Sequence, residues 1–199
     1  MAIGTERRQE RSRGRILSAA RELILRHGVE NLSLRAVAER AGYSPASLYE
    51  YFAGKDDLIA TVAQEVAGRL DQRMGSVPAG LPPERRLIRL GAAYVDFARA
   101  HSEDFLLLFH RLKSARKSAR EAAGPGSPYA RVLGAAQEGC RSGVLRASEG
   151  FGPEEMAYAL WALAHGMAML QLTHLKAYQA DFEESDRKAL ERLVAAFAG

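Results

Sequence analysis

Gly42-Tyr43-Ser44-Pro45 is the stretch that most constrains how this 199-residue chain folds. Before it, Leu34, Val37, Ala38 and Ala41 of LRAVAERA recur at helical spacing, and Ser33 stands where it can cap that helix. After it, the Ser44 hydroxyl can accept from the free amides of a new first turn, and Pro45 suits the first helical position. The spacing predicts a second helix of roughly two turns, with Gly54 allowing the break. Leu48 and Phe52 lie four apart and define its inward side. Ala46, Ser47, Tyr49 and Glu50 fall on the other side, small residues that admit a close partner beside one flat ring with a hydroxyl. Helix, short glycine turn and helix make a helix-turn-helix. A helix about 10–12 Å across also fits a major groove about 12 Å wide.

On these residues, LSLRAVAERAGYSPASLYEYFAGKDDL resembles the N-terminal DNA-binding region of the tetracycline-repressor (TetR) family of bacterial transcription regulators. Within residues 10–60 the pattern A-G-x-S-x-x-x-L-Y-x-Y-F-x-x-K-x-x-L is filled by Ala41, Gly42, Ser44, Leu48, Tyr49, Tyr51, Phe52, Lys55 and Leu58. The resemblance implies a DNA-binding domain over 1–54 and a ligand-binding and dimerisation domain over 55–199. A helix starting at Lys55 would bridge the two and carry the state of one to the other. The resemblance also implies that Tyr43, Ala46, Ser47, Tyr49 and Glu50 face bases while Ser33, Ser44, Tyr51 and Lys55 hold phosphates. Arg35, near the start of its helix, is a further phosphate candidate. Glu50 departs from what a negative groove favours: either it accepts from a cytosine amine, or it points away. For the tyrosines, packing against neighbouring helices is the competing expectation.

Charge distribution supports a nucleic-acid partner, which the resemblance implies is a double-stranded operator, more than total charge does. Residues 1–55 hold 10 Lys/Arg against 6 Asp/Glu, so the whole net charge of +4 sits there. The single Cys140 rules out an internal disulfide and points to a reducing cytoplasm. No apolar run follows the N-terminal arginines as a signal peptide would require. The most apolar run, Met156 to Leu172, contains His165, Gly166 and Gln171 and is shorter than the ~20 apolar residues of a membrane span, so it reads as a buried helix.

The remaining chain reads as all-α, with about nine helices in total and no strand candidate. Arg7, Arg8, Arg11 and Arg13 lie in a polar terminus that is either a frayed, solvated end or an arm that meets phosphates. Ile16, Leu17, Ala20, Leu23 and Ile24 then form an apolar stripe that ends at His27-Gly28. The basic tract Arg111, Lys113, Arg116, Lys117 and Arg120 reads as solvated cations in preference to a second nucleic-acid patch. Ser127-Pro128 caps a helix expected to reach about Leu145, Pro153 opens a long one, and Asp181 with Glu184 suits a capping box on the last.

Trp161, His165 and Gly166 resemble the W-x-x-x-H-G motif of one TetR subgroup's regulatory domain. In that family the last two long helices pair with a second copy, and the apolar faces of 156–172 and 190–197 suit that homodimer. Tyr94, Phe97, His101, Phe105, Phe109, Trp161, His165 and Met169 are the candidate pocket for an apolar or aromatic small-molecule effector, with plain core packing as the alternative. No metal or cofactor is expected: His101 and His110, like His165 and His174, are nine apart and fall on opposite helix faces. Nucleophile elbows, P-loops and dinucleotide glycine patterns are absent, which disfavours an enzyme. The sequence therefore predicts a dimeric, ligand-responsive transcriptional regulator acting as a repressor, or as an activator if the operator's position relative to the promoter sets the opposite sign, with a helical enzyme and a DNA-independent scaffold as rivals.

Overall fold

The computed structural model describes residues 2–109, 124 and 126–198. Among these residues the chain forms nine helices and no strand, only an isolated bridge between Ser148 and Phe151. In chain order they are α1 (Ala2–His27), α2 (Leu34–Ala41), α3 (Pro45–Leu48), α4 (Lys55–Gly75), α5 (Pro83–Ala100), α6 (Ser102–Phe109), α7 (Pro128–Arg141), α8 (Pro153–Leu172) and α9 (Phe182–Ala198). The all-α expectation holds. His110 and the basic tract of Arg111, Lys113, Arg116, Lys117 and Arg120 lie outside the described residues.

The chain divides into two compact units: Met1–Ala67 with Leu106–Ala115, and Gly68–Phe105 with Arg116–Gly199. In the first, α1 packs on α2 and α2 on α3, around Ile16, Leu17, Ala20, Leu32, Val37, Leu48 and Phe52, all nearly inaccessible. Residues 2–13 continue the same helix as the apolar stripe. Gly28 ends that helix at φ 80°, a left-handed conformation that glycine adopts without steric cost. Asp57 lies in the first turn of α4, and its carboxylate accepts the Ala53 amide at 2.9 Å. Leu58, Val62 and Val66 then face inward, as their spacing predicts.

In the second unit α5 and α8 form the centre, with α7 and α9 packed on both. Leu87, Leu90, Tyr94 and Phe97 of α5 and Met156, Leu160 and Ala164 of α8 are buried where helices of this unit pack together. Two departures from sequence spacing have local causes. First, α7 ends at Arg141 and not near Leu145, since the chain turns through Gly143 at φ 74° and the Leu145 amide returns to the Gly139 carbonyl at 3.0 Å. Leu145 is then buried directly over Gly139, where a Cβ would stand 2.6 Å from the leucine Cγ. Second, only half of the capping box at α9 forms: Asp181 accepts the Glu184 amide at 3.0 Å, while Glu184 itself pairs with Arg187 and Lys188.

Candidate nucleic-acid interface

The α2–α3 corner is built almost wholly from short-range hydrogen bonds. Ser33 accepts the Ala36 amide at 3.2 Å and starts α2. At its end Gly42 takes φ 76°, its amide donating to Glu39 at 3.2 Å and the Tyr43 amide to Ala38 at 2.9 Å. This crossed pair of bonds is the usual left-handed way of closing a helix. One residue later Ser44 accepts the Ser47 amide at 3.1 Å, and the two hydroxyls lie 2.8 Å apart. Because Ser44 is engaged on both sides, Ser47 is held close to it and half-buried.

The expected two-turn helix is shorter than its spacing predicts. Regular α-helix covers only Pro45–Leu48, after which the amides of Tyr49, Glu50 and Tyr51 bond to carbonyls three residues back. Tightening of this kind satisfies terminal carbonyls that have no partner four residues ahead. The inward and outward sides survive it. Leu48 and Phe52 are 1% and 3% exposed, whereas Tyr49 is 62% exposed. Ala46 and Glu50 are exposed as well, and Tyr43 and Tyr51 are half-buried.

The three tyrosines divide between the competing expectations. Tyr43 and Tyr51 pack edge to face at 6.4 Å, and the Arg15 guanidinium lies 5.5 Å from the centre of the Tyr43 ring. Only Tyr49 is left without such packing among the described contacts and projects outward. Glu50 borders a cleft of about 440 Å³ whose other wall is Glu6, Gln9, Glu10 and Arg13 of α1, so it shares that cleft with two further carboxylates. Of the phosphate candidates, Arg35 is exposed on the first turn of α2, and Lys55 donates to the Glu30 carbonyl at 3.0 Å, which holds its ammonium near the start of α4.

Sequence spacing gave no sign of two α1 contacts. Arg13 lies over Phe52 at 5.4 Å, and Arg15 donates to the Ala41 carbonyl at 3.0 Å while covering Tyr43. Their partners are distant in the chain, so no local pattern marks them.

The candidate effector residues sort into two groups. Tyr94, Phe105, Trp161 and His165 come together: Tyr94 meets Phe105 at 5.3 Å and Trp161 at 4.6 Å, and its hydroxyl bonds His165 Nδ1 at 3.0 Å. Tyr129, absent from the sequence-based set, adds its ring to Trp161 at 5.7 Å. Phe97 is buried and stacks on His101 at 4.9 Å, but His101 itself is exposed. Phe109 is 46% exposed and belongs to the first unit, and Met169 is half-buried on α8. The packed aromatic set thus has two polar groups facing each other.

Burial pushes the Tyr94 phenol upward and the His165 imidazole downward, so both are neutral near pH 7. An unfolded histidine takes up a proton near 6.5, whereas folded His165 does so only at lower pH. Between those values the unfolded state binds more protons, and stability falls as pH drops through them. His165→Gln is expected to flatten this acid-side decline in melting temperature. A slope identical to the parent's would assign the decline to other groups.

Among known proteins, a model described as "Bacterial regulatory proteins, tetR family" matches residues 16–62. A second, "Tetracyclin repressor-like, C-terminal domain", matches residues 87–197, more than half of the chain. The HTH-type transcriptional repressor KstR of Rhodococcus jostii is 35% identical over 99 residues, covering 50% of this chain and 45% of that protein. The HTH-type transcriptional regulator HbdR of Aromatoleum is 29% identical over 112 residues, 56% of this chain and 49% of its own. The matched parts thus span about half the length of these relatives. Among solved structures, a Rhodococcus protein of unknown function superposes with a TM-score of 0.78 at 22% identity, over 94% of this chain and 96% of that one. The fatty acid degradation regulator FadR of Bacillus halodurans gives 0.72 at 18% identity, over 92% and 93%. At such identities the likeness is one of fold.

Proposed function

Since the chain belongs to the TetR family of bacterial transcription regulators, which are not enzymes, we propose that it is a ligand-responsive repressor binding a pseudo-palindromic operator as a homodimer. The observation that carries this reading is the short capped α3, which turns Leu48 and Phe52 inward and Tyr49 outward. Two such segments related by two-fold symmetry would enter successive major grooves about 34–36 Å apart. Tyr43, Ala46, Ser47 and Tyr49 would then meet base edges, with Ser33, Arg35, Ser44, Tyr51 and Lys55 on the backbone. Glu50, beside Glu6 and Glu10, fits the orientation away from bases better than a cytosine contact. The repressor sign is supported by the name of the matched Rhodococcus jostii relative.

Residues 1–54 would be the DNA-binding domain and 55–199 the regulatory and dimerising one. Tyr158 and Leu170 of α8, 68% and 49% exposed, are large apolar groups facing outward and support its use in pairing. The stripe expected on the last helix contributes less, because Leu190, Val194 and Phe197 are buried within the subunit. An apolar or aromatic effector would enter around Tyr94, Phe105, Trp161 and His165, where the facing phenol and imidazole are both neutral near pH 7 and so favour an uncharged molecule. A differential affinity of ~2.7 kcal/mol between two dimer states would relieve repression about 100-fold. A tilt of α4 is the proposed link. No described helix is long and apolar enough to cross a membrane.

Selection of duplexes from random-sequence DNA, followed by light scattering, tests the reading directly: an enriched inverted repeat bound by two copies is expected, and no enrichment would overturn it. Lys55→Met is expected to weaken binding to all duplexes alike and to reduce the salt slope by about one. An unaltered slope would remove Lys55 from the phosphates.

A further inference from the structure

Closing α2 leaves a residual problem in its own backbone. The last carbonyls of a helix have no partner ahead, and the left-handed closure at Gly42 satisfies those of Ala38 and Glu39. Ala41, the last residue of α2, lies beyond that arrangement. Its carbonyl is met by a side chain from another helix, Arg15 of α1, at 3.0 Å. The same guanidinium stands 5.5 Å from the centre of the Tyr43 ring and 3.4 Å from the position a Gly42 Cβ would take. One planar cation thus contacts Ala41 and Tyr43 and fills the space beside Gly42 between them.

That corner sets the aim of everything after it. Tyr43 is followed at once by Ser44, whose cap starts α3, and its ring is braced against Tyr51 at the far end of the segment. Arg13, two residues earlier, lies over Phe52 at 5.4 Å. Two residues apart on a helix means about 200° around its axis, so these arginines leave opposite sides of α1 and reach the two ends of the α3 segment. A lysine in place of Arg15 would keep one donor for the carbonyl but lose the flat face that covers the ring.

We infer that Arg15 is a positioning residue for operator reading: it ties the Ala41–Tyr43 corner to α1 and so holds the outward face of α3 at the angle that base contact needs. This rests on the proposed operator-binding reading and adds to it a residue that touches no base. Its signature differs from that of a phosphate contact. Loss of a phosphate contact lowers affinity for every sequence and reduces the salt slope, whereas loss of aim lowers affinity only where bases are read.

The test uses the full chain, a duplex enriched from random-sequence DNA by the parent protein, and a scrambled duplex of equal length. Arg15→Ala is expected to lose about tenfold or more in affinity for the enriched duplex. Affinity for the scrambled duplex and the salt slope should stay as in the parent. Arg15→Lys should fall between the two, and Arg15→Ala combined with Tyr43→Ala should lose less than the sum of the single changes. Equal losses on both duplexes with a reduced slope would overturn the inference in favour of a phosphate contact, and parental behaviour on both would overturn it outright. Should Arg15→Ala melt early, the decision passes to Arg15→Lys: discrimination lower than the parent's at equal helicity supports the inference, and parental discrimination ends it. If the parent enriches no sequence, the operator reading itself has failed, which is a separate result.

Discussion

Phe52→Ala is expected to destabilise the N-terminal unit by about 3–5 kcal/mol, the usual cost of emptying an aromatic site in a packed core. The ring is 3% exposed and lies beneath the Arg13 guanidinium at 5.4 Å, so the change removes both a buried volume and a cation–aromatic contact. A helical unit this small has little core to spare, and a loss of that size is comparable to the whole stability of many small domains. Urea unfolding followed by circular dichroism should show an early transition, and operator binding should vanish with it. Phe52→Leu, which refills part of the space, should fall well short of that loss. A parental unfolding midpoint for the alanine variant would mean that the ring does not support the corner.

Tyr49→Ala is expected to do the reverse, leaving folding intact and removing operator affinity. With 62% of the residue exposed and no buried packing to lose, its stability cost should stay within about 0.5 kcal/mol. If the ring meets a base edge, its loss should cost about 1–3 kcal/mol of discrimination, roughly five- to 150-fold on the operator. Fluorescence anisotropy on the enriched and scrambled duplexes separates the two contributions, and Tyr49→Phe isolates the hydroxyl. Operator affinity equal to the parent's would take Tyr49 out of the interface. Phe52 is buried and Tyr49 is exposed only three residues before it, so the pair asks whether support and contact separate within one short segment.

How far these assignments were legible in sequence depended on the range of the interactions involved. Ser33, Ser44 and Gly42 act on amides and carbonyls within a few residues of themselves, and their predicted roles as caps and turn are the roles they have. Leu48 and Phe52 on one side and Tyr49 on the other follow from periodicity, which reports a face but not what covers it. Periodicity overestimated α3, since the i−3 bonds after Leu48 keep the same faces at a different winding. It likewise carried α7 to Leu145, because a residue folding back over Gly139 looks in sequence like one more apolar position on the helix.

Capping chemistry and apolar spacing, both local, therefore determined from sequence alone that this chain is all-α, that a helix-turn-helix lies at 33–52 and which residues of its second helix turn away from the core. Tertiary structure alone decided which tyrosine remains outside, which arginines of α1 hold the corner, and that Tyr129 joins the Trp161 cluster while Phe109 and His101 lie exposed. The reason is physical: a cation over a ring or two aromatic edges in contact depend on separate chain segments meeting in space, 28 residues apart for Arg15 and Tyr43 and eight for Tyr43 and Tyr51, and no repeat of 3.6 residues encodes that meeting.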